Sequence, residues 1–227
     1  MQEGAAKQAA QVETGPAIDA RGRPGVRLLV VAAAILILLA AMALDTRIVK
    51  IGSAADVQAG VFSAAEFGKA EFPKVQAAID KRAVDAATIA AAIAKDQEAA
   101  AKEYGVEAGA SPEISVKFTG VAGKAESGVY LVTVEGLPST LIIRVQTGPA
   151  INGTDLRDAT GTIAFGQFVN QIDYQNAGSA LNKEMKKQVL SKVDAANLSG
   201  KTIAVVGAFR LVNPNSWLIT PVKLAVQ

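Results

Sequence analysis

The 227 residues include no cysteine and no histidine, and 23 Lys and Arg stand against 21 Asp and Glu, a net charge of +2. Those absences exclude disulfides, thiolate nucleophiles, a lipid-bearing cysteine, Ser-His-Asp and Cys-His triads and every His-containing zinc site. So small a net charge gives no electrostatic footing for nucleic acid or for an anionic surface.

Residues 1–26 are small and polar, with Pro16 and Pro24 and no hydrophobic period. They are expected to form a disordered cytoplasmic tail. Leu28 to Leu44 follows, LLVVAAAILILLAAMAL, without charge, Pro, Gly or hydrogen-bonding side chain. Segment 27–45 sits at the lower length limit for a helix that crosses the hydrocarbon core. Arg21, Arg23 and Arg27 before it predict a cytoplasmic N-terminus. Two readings stay open. A signal anchor is retained and tethers the rest; a signal peptide is cut after Ala43, where Ala41-Met42-Ala43 forms a small-x-small site. The long leader favours retention, and both readings export everything from Asp45 onward. The expected address is the bacterial inner membrane, single pass, with the C-terminal part in the periplasm. A buried core helix is disfavoured because such helices rarely lack a polar residue over this length.

Residues 46–60 read as a connector, in which Ile48 to Ile51 forms a strand or a stalk. Residues 61–107 are Ala-rich and read as a helical subdomain of three short helices. Ser63 with Glu66 forms a capping box. Pro73 is expected to open a helix that carries Val75, Ala78, Ile79 and Arg82 on one face. Asp85 caps the next, with Ile89 and Ile93 one turn apart, and Asp96 caps the third. That helix ends at Tyr104, with Gly105 in the left-handed cap conformation. Phe62, Phe67 and Phe72 are expected to dock this part on the rest.

From 108 to 227 the period changes to two. Ile114, Val116 and Phe118 alternate with polar residues in one strand. Val129–Glu135 and Thr140–Thr147 form a hairpin joined through Gly136, Leu137, Pro138 and Ser139. Gly161–Phe165 reads as a short fourth strand. Asn176 caps a helix with Ala177, Ala180, Leu181, Met185 and Val189 on one face. Lys201–Val212 and Trp217–Val226 close the series around an Asn213-Pro214-Asn215 turn. Trp217, the only Trp, is expected in the core. The predicted fold class is α+β: an N-terminal transmembrane or signal helix, a small helical subdomain, and an OB-like antiparallel β-barrel with one inserted helix.

The densest polar stretch runs from Ile151 to Asn182. Thr154 caps a single turn holding Asp155, Arg157 and Asp158, preceded by the Asn152-Gly153 turn. Gln167, Asn170, Gln171 and Tyr174 follow beside Phe165 and Phe168. Read as a ligand-binding site, these nine polar residues suit a neutral polar ligand such as a carbohydrate, with an aromatic ring on its apolar face. Read as structure, Arg157 pairs with Asp155 or Asp158 and locks the loop, while the amides satisfy backbone groups. Asp155 and Asp158 sit too close in sequence to flank a glycosidic bond. Gly200-Lys201-Thr202 lacks the earlier Gly and the following helix of a phosphate loop. No catalytic, metal or cofactor constellation is expected.

The run from Gly148 to Asn182, GPAINGTDLRDATGTIAFGQFVNQIDYQNAGSALN, resembles the core signature of the bacterial predicted periplasmic lipoproteins called domain of unknown function 2291. KEYGVEAG at Lys102–Gly109 and GKTIAVVGAF at Gly200–Phe209 fit the same pattern. The resemblance implies a helical subdomain beside an OB-like barrel on the outer face of an inner membrane. It also implies a transport accessory role, since members often accompany sugar-type ABC import systems. This chain departs from the lipoprotein members in having no Cys, which leaves the helix as its tether. Three roles follow as expectations: a tethered binding or accessory module, a carboxylate-based enzyme, or an envelope scaffold without a small ligand.

Overall fold

The computed structural model describes residues 24–46 and 61–227. The expected tail, apart from its last three residues, and nearly all of the connector, including the Ile48–Ile51 piece, lie outside the described residues. Two units are described separately, one holding the apolar helix and the other running from Ala59 to Gln227.

Helix α1 spans Pro24–Asp45, 22 residues. At 1.5 Å per residue that is about 33 Å, enough for a hydrocarbon core of roughly 30 Å. Its apolar side chains are exposed along the whole length.

In the second unit, α2 covers Ala64–Arg82, α3 Ala86–Lys95 and α4 Gln97–Tyr104. The three expected caps are present. Ser63 accepts from the Glu66 amide, Asp85 from that of Ala87, and Asp96 from those of Glu98 and Ala99. Two expectations fail. Pro73 does not open a helix but lies inside α2. It is exposed, as is Lys69 one turn earlier, so the carbonyl left without its i+4 donor faces water. Meanwhile Phe72, Val75 and Ile79 bury the opposite face. Gly105 is extended (φ −87°, ψ 157°), not left-handed. Its glycine character has a different cause: a Cβ there would stand 2.3 Å from the Ala101 carbonyl oxygen.

Two-residue strands β1 (Val84–Asp85) and β2 (Gly105–Val106) pair with β3, which spans Glu113–Glu126. β4 is Val129–Thr133, β5 Ile142–Gln146, β6 Thr202–Arg210 and β7 Ser216–Val226. β3 pairs β4, β4 pairs β5, β5 pairs β7, β7 pairs β6, and β6 returns to β3. The five longer strands therefore close a ring, which removes free edges. One pairing corrects the antiparallel expectation: β5 and β7 run parallel, with Ile143 opposite Trp217. The two strands are separated by helices and β6, so no hairpin constrains their direction.

The alternation places Tyr130, Val132, Ile143, Val145, Val205 and Trp217 inside the ring, all nearly fully buried. Trp217 stacks on Phe209 with ring centroids 4.6 Å apart, in the core as expected. Between β5 and β6 lie the single-turn helix α5 (Asp155–Asp158) and α6 (Gln171–Gln188). The expected fourth strand is absent: Gly161 turns with φ +68° and Phe165–Gln167 forms a 3-10 turn. Helix α6 begins at Gln171, not after Asn176. Asn170 is its cap, its side-chain oxygen accepting from the Asp173 amide at 2.8 Å. Helix α2 packs on α6 and is tied to β7. Gln76 Nε2 donates to the Val222 carbonyl at 2.6 Å, and Lys223 pairs with Asp80 at 2.8 Å. Phe62 and Phe67 meet Phe168 at centroid distances of 5.2 and 5.6 Å, and Phe72 is fully buried, so the Phe series docks these helices as expected.

Candidate functional site

The polar stretch folds into a clasp. Asp158 is its hub: Oδ1 accepts from Arg157 Nε at 2.7 Å, and Oδ2 from Arg210 Nη2 at 2.8 Å and from the Thr154 hydroxyl at 2.6 Å. Its side chain is only 10% exposed. Arg157 lies over the Tyr174 ring, 3.5 Å from its centroid, and donates to the Tyr174 carbonyl at 3.0 Å. Arg210 reaches back along β6 to β3, where its Nε donates to Glu113 Oε1 at 2.7 Å. Asp155 turns the other way and accepts from the Thr220 hydroxyl at 2.7 Å; that hydroxyl accepts from Gln146 Nε2 at 2.8 Å. Asn182 Nδ2 donates to the Gly153 carbonyl at 3.0 Å and pins the loop onto α6.

Five of the nine predicted residues are thus brought together: Thr154, Asp155, Arg157, Asp158 and Tyr174. Thr154 does not cap α5 as expected, because its hydroxyl is committed to Asp158 and Arg210. The other four stand apart. Asn152 and Gln171 are exposed. Asn170 caps α6. Gln167 donates to the Thr162 carbonyl at 3.0 Å and borders a cleft of about 450 Å³ between α2 and the 160–163 turn. Arg157 pairs with Asp158, one of the two partners the structural reading allows.

Glu113, Arg210, Gln146 and Thr220 were not singled out from the sequence. Each sits in a strand on the face opposite the ring interior, where a polar residue reads as solvent-facing until the α5 segment covers it. The cluster holds three carboxylates, on Glu113, Asp155 and Asp158, against two guanidinium groups. It is therefore one negative charge in excess when fully ionised. Glu113 takes up the imbalance. Its Oε2 is buried and has no hydrogen-bond partner, and its pKa is pushed up to about 7 by burial and by the Asp155 carboxylate, against the pull of Arg210. Burial also raises Asp155, partly offset by the Thr220 hydroxyl.

A carboxyl with a raised pKa binds its proton more tightly in the folded chain. That contribution is complete below the unfolded value of 4.5 and is lost as pH rises through about 7. Unfolding free energy is accordingly expected to fall by about 2 kcal/mol between pH 5 and pH 8. In Glu113→Gln most of that slope should vanish. Denaturant titrations at both pH values check this, and an unchanged slope in the variant would assign the proton elsewhere.

A second feature lies on the outside of the ring. Lys124, Glu126, Val129, Leu131, Arg144 and Leu218 line a cleft of about 530 Å³ across β3, β4, β5 and β7. Leu131 is 48% exposed, and Arg144 Nη2 donates to the Ser216 hydroxyl at 3.1 Å. The sequence signal was present: in Val129-Tyr130-Leu131-Val132 the apolar residues do not alternate with polar ones, so the strand is apolar on both faces.

The family described as "Predicted periplasmic lipoprotein (DUF2291)" matches residues 32–225. The crystal structure of an OB-fold protein from Thermotoga maritima superposes with a TM-score of 0.60 at 19% identity, covering 74% of this chain and 99% of that one. It shows the fold alone. No curated protein matches the chain.

Proposed function

Because the chain belongs to the DUF2291 family of predicted periplasmic lipoproteins, we propose that it is a membrane-tethered periplasmic binding or accessory protein built on an OB-type barrel. Without a cysteine it cannot carry a cysteine-linked lipid, and α1 serves as the single-pass anchor in the inner membrane. The arginines at 21, 23 and 27 keep its N-terminus in the cytoplasm.

The carrying observation is the outer cleft. OB-folds bind oligosaccharides and oligonucleotides on the face of their second and third strands. Here those strands are β4 and β5; their outer face supplies Val129, Leu131 and Arg144, flanked by Leu218 of β7 and by Lys124 and Glu126 of β3. The lining has no aromatic ring on which bases stack, which speaks against a nucleic acid. The polar loop is the less open alternative, because Asp155 and Asp158 are engaged in internal hydrogen bonds. The same engagement speaks against carboxylate catalysis. Service to a carbohydrate ABC import system is the role that fits a tethered saccharide binder.

Thermal shift of the full chain in detergent with a panel of mono- and oligosaccharides tests this. A ligand at a hundred times its Kd is expected to stabilise by about 2.7 kcal/mol, and Leu131→Asp to abolish that gain. Co-purification with importer subunits from solubilised membranes should be lost in the same variant. No saccharide shift and no Leu131-dependent partner would overturn the proposal.

A further inference from the structure

The end of the second unit where the described chain resumes is apolar. Val61 is 55% exposed, Phe165 52%, Ile172 69% and Val169 87%. Beneath them Phe62, Phe168 and Tyr174 form a continuous aromatic layer: Phe62 to Phe168 is 5.2 Å, Phe168 to Tyr174 5.4 Å and Phe165 to Tyr174 5.6 Å between centroids. An apolar residue just before a helix cap ordinarily packs on the fourth residue of the helix. Val169 precedes the Asn170 cap and that fourth residue is Tyr174, yet Val169 remains in the open. Contiguous exposed apolar surface of this kind marks a contact face.

Chain length says what covers it. Fifteen residues separate Asp45, the end of α1, from Val61. Fully extended they reach about 50 Å. The tether enters the folded unit at Val61, inside the apolar patch itself, so the patch has the shortest chain path to the anchor and meets the bilayer at high effective concentration. Phe, Val and Ile suit the boundary between headgroups and acyl chains, where an apolar face sinks about 5–10 Å.

We propose that Val61, Phe165, Val169 and Ile172 form a docking patch that rests in the lipid interface of the membrane holding α1. The inference depends on α1 being the anchor, as proposed above. It gives the periplasmic unit a fixed footing on the bilayer rather than free rotation on its tether.

The cysteine-free chain allows a direct test. Single variants Val169→Cys, Ile172→Cys, Ile37→Cys and Ser191→Cys in the full chain are labelled with a fluorophore and reconstituted in phosphatidylcholine vesicles with and without lipid-borne quencher. Ser191 lies past the far end of α6, a helix about 27 Å long. Ile37 should be strongly quenched, and Val169 and Ile172 at least twofold more than Ser191. If Ile37 is quenched while Val169 and Ile172 match Ser191, the patch proposal falls and the anchor stands. Should those two also be shielded from aqueous iodide, a protein surface covers the patch and the proposal falls again. An unquenched Ile37 overturns the anchor, and the docking patch with it.

Discussion

Asp158→Ala is expected to lower the unfolding free energy by about 3–5 kcal/mol, the range for breaking a buried ion pair from one side. Asp158 joins two guanidinium groups and a hydroxyl that come from α5, β6 and the residue before α5. Removing it leaves Arg157 buried, with only the Tyr174 ring and carbonyl against its charge. Arg210 would keep Glu113, so the damage falls mainly on the loop that carries α5. Asp155→Asn is the informative contrast. Burial already favours the protonated form of Asp155, and an amide can still accept from Thr220, so its cost should stay near 1 kcal/mol. Denaturant unfolding of the full chain in detergent measures both. Equal and small losses would mean that the clasp does not hold the β5–α6 connection in place.

What could be read in the sequence was local. The caps at Ser63, Asp85 and Asp96 use bonds within three residues, and the strands show their alternation directly. Failures arose where distant packing decides. Pro73 reads as a helix start until α2 is seen to turn that side to water. The start of α6 was missed because Ile172, in its first turn, faces outward and breaks the amphipathic stripe. The parallel β5–β7 pairing joins residues more than seventy apart. In the same way, the Arg157–Asp158 lock was within reach because the two are neighbours. Glu113 and Arg210, 97 residues apart, meet only through the β3–β6 register. The outer cleft was overlooked because an apolar strand reads as core whichever face it lines.

The largest effect concerns export. Leu and Ile each favour insertion by about 0.3–0.6 kcal/mol, and an Arg at the helix centre costs about 2.5–3.5 kcal/mol. Leu36→Arg with Leu39→Arg therefore sets about 5–7 kcal/mol against insertion of a helix that is at most slightly longer than the hydrocarbon core. Such a double variant should remain in the cytoplasm.

An alkaline phosphatase fused after Gln227, active only where its disulfides form, reads this out. The unaltered chain should give high phosphatase activity in whole bacterial cells, and the double-Arg variant a loss of tenfold or more at equal protein level. An inactive reporter on an intact, abundant, unaltered chain would contradict the placement of the OB-fold unit outside the cytoplasm.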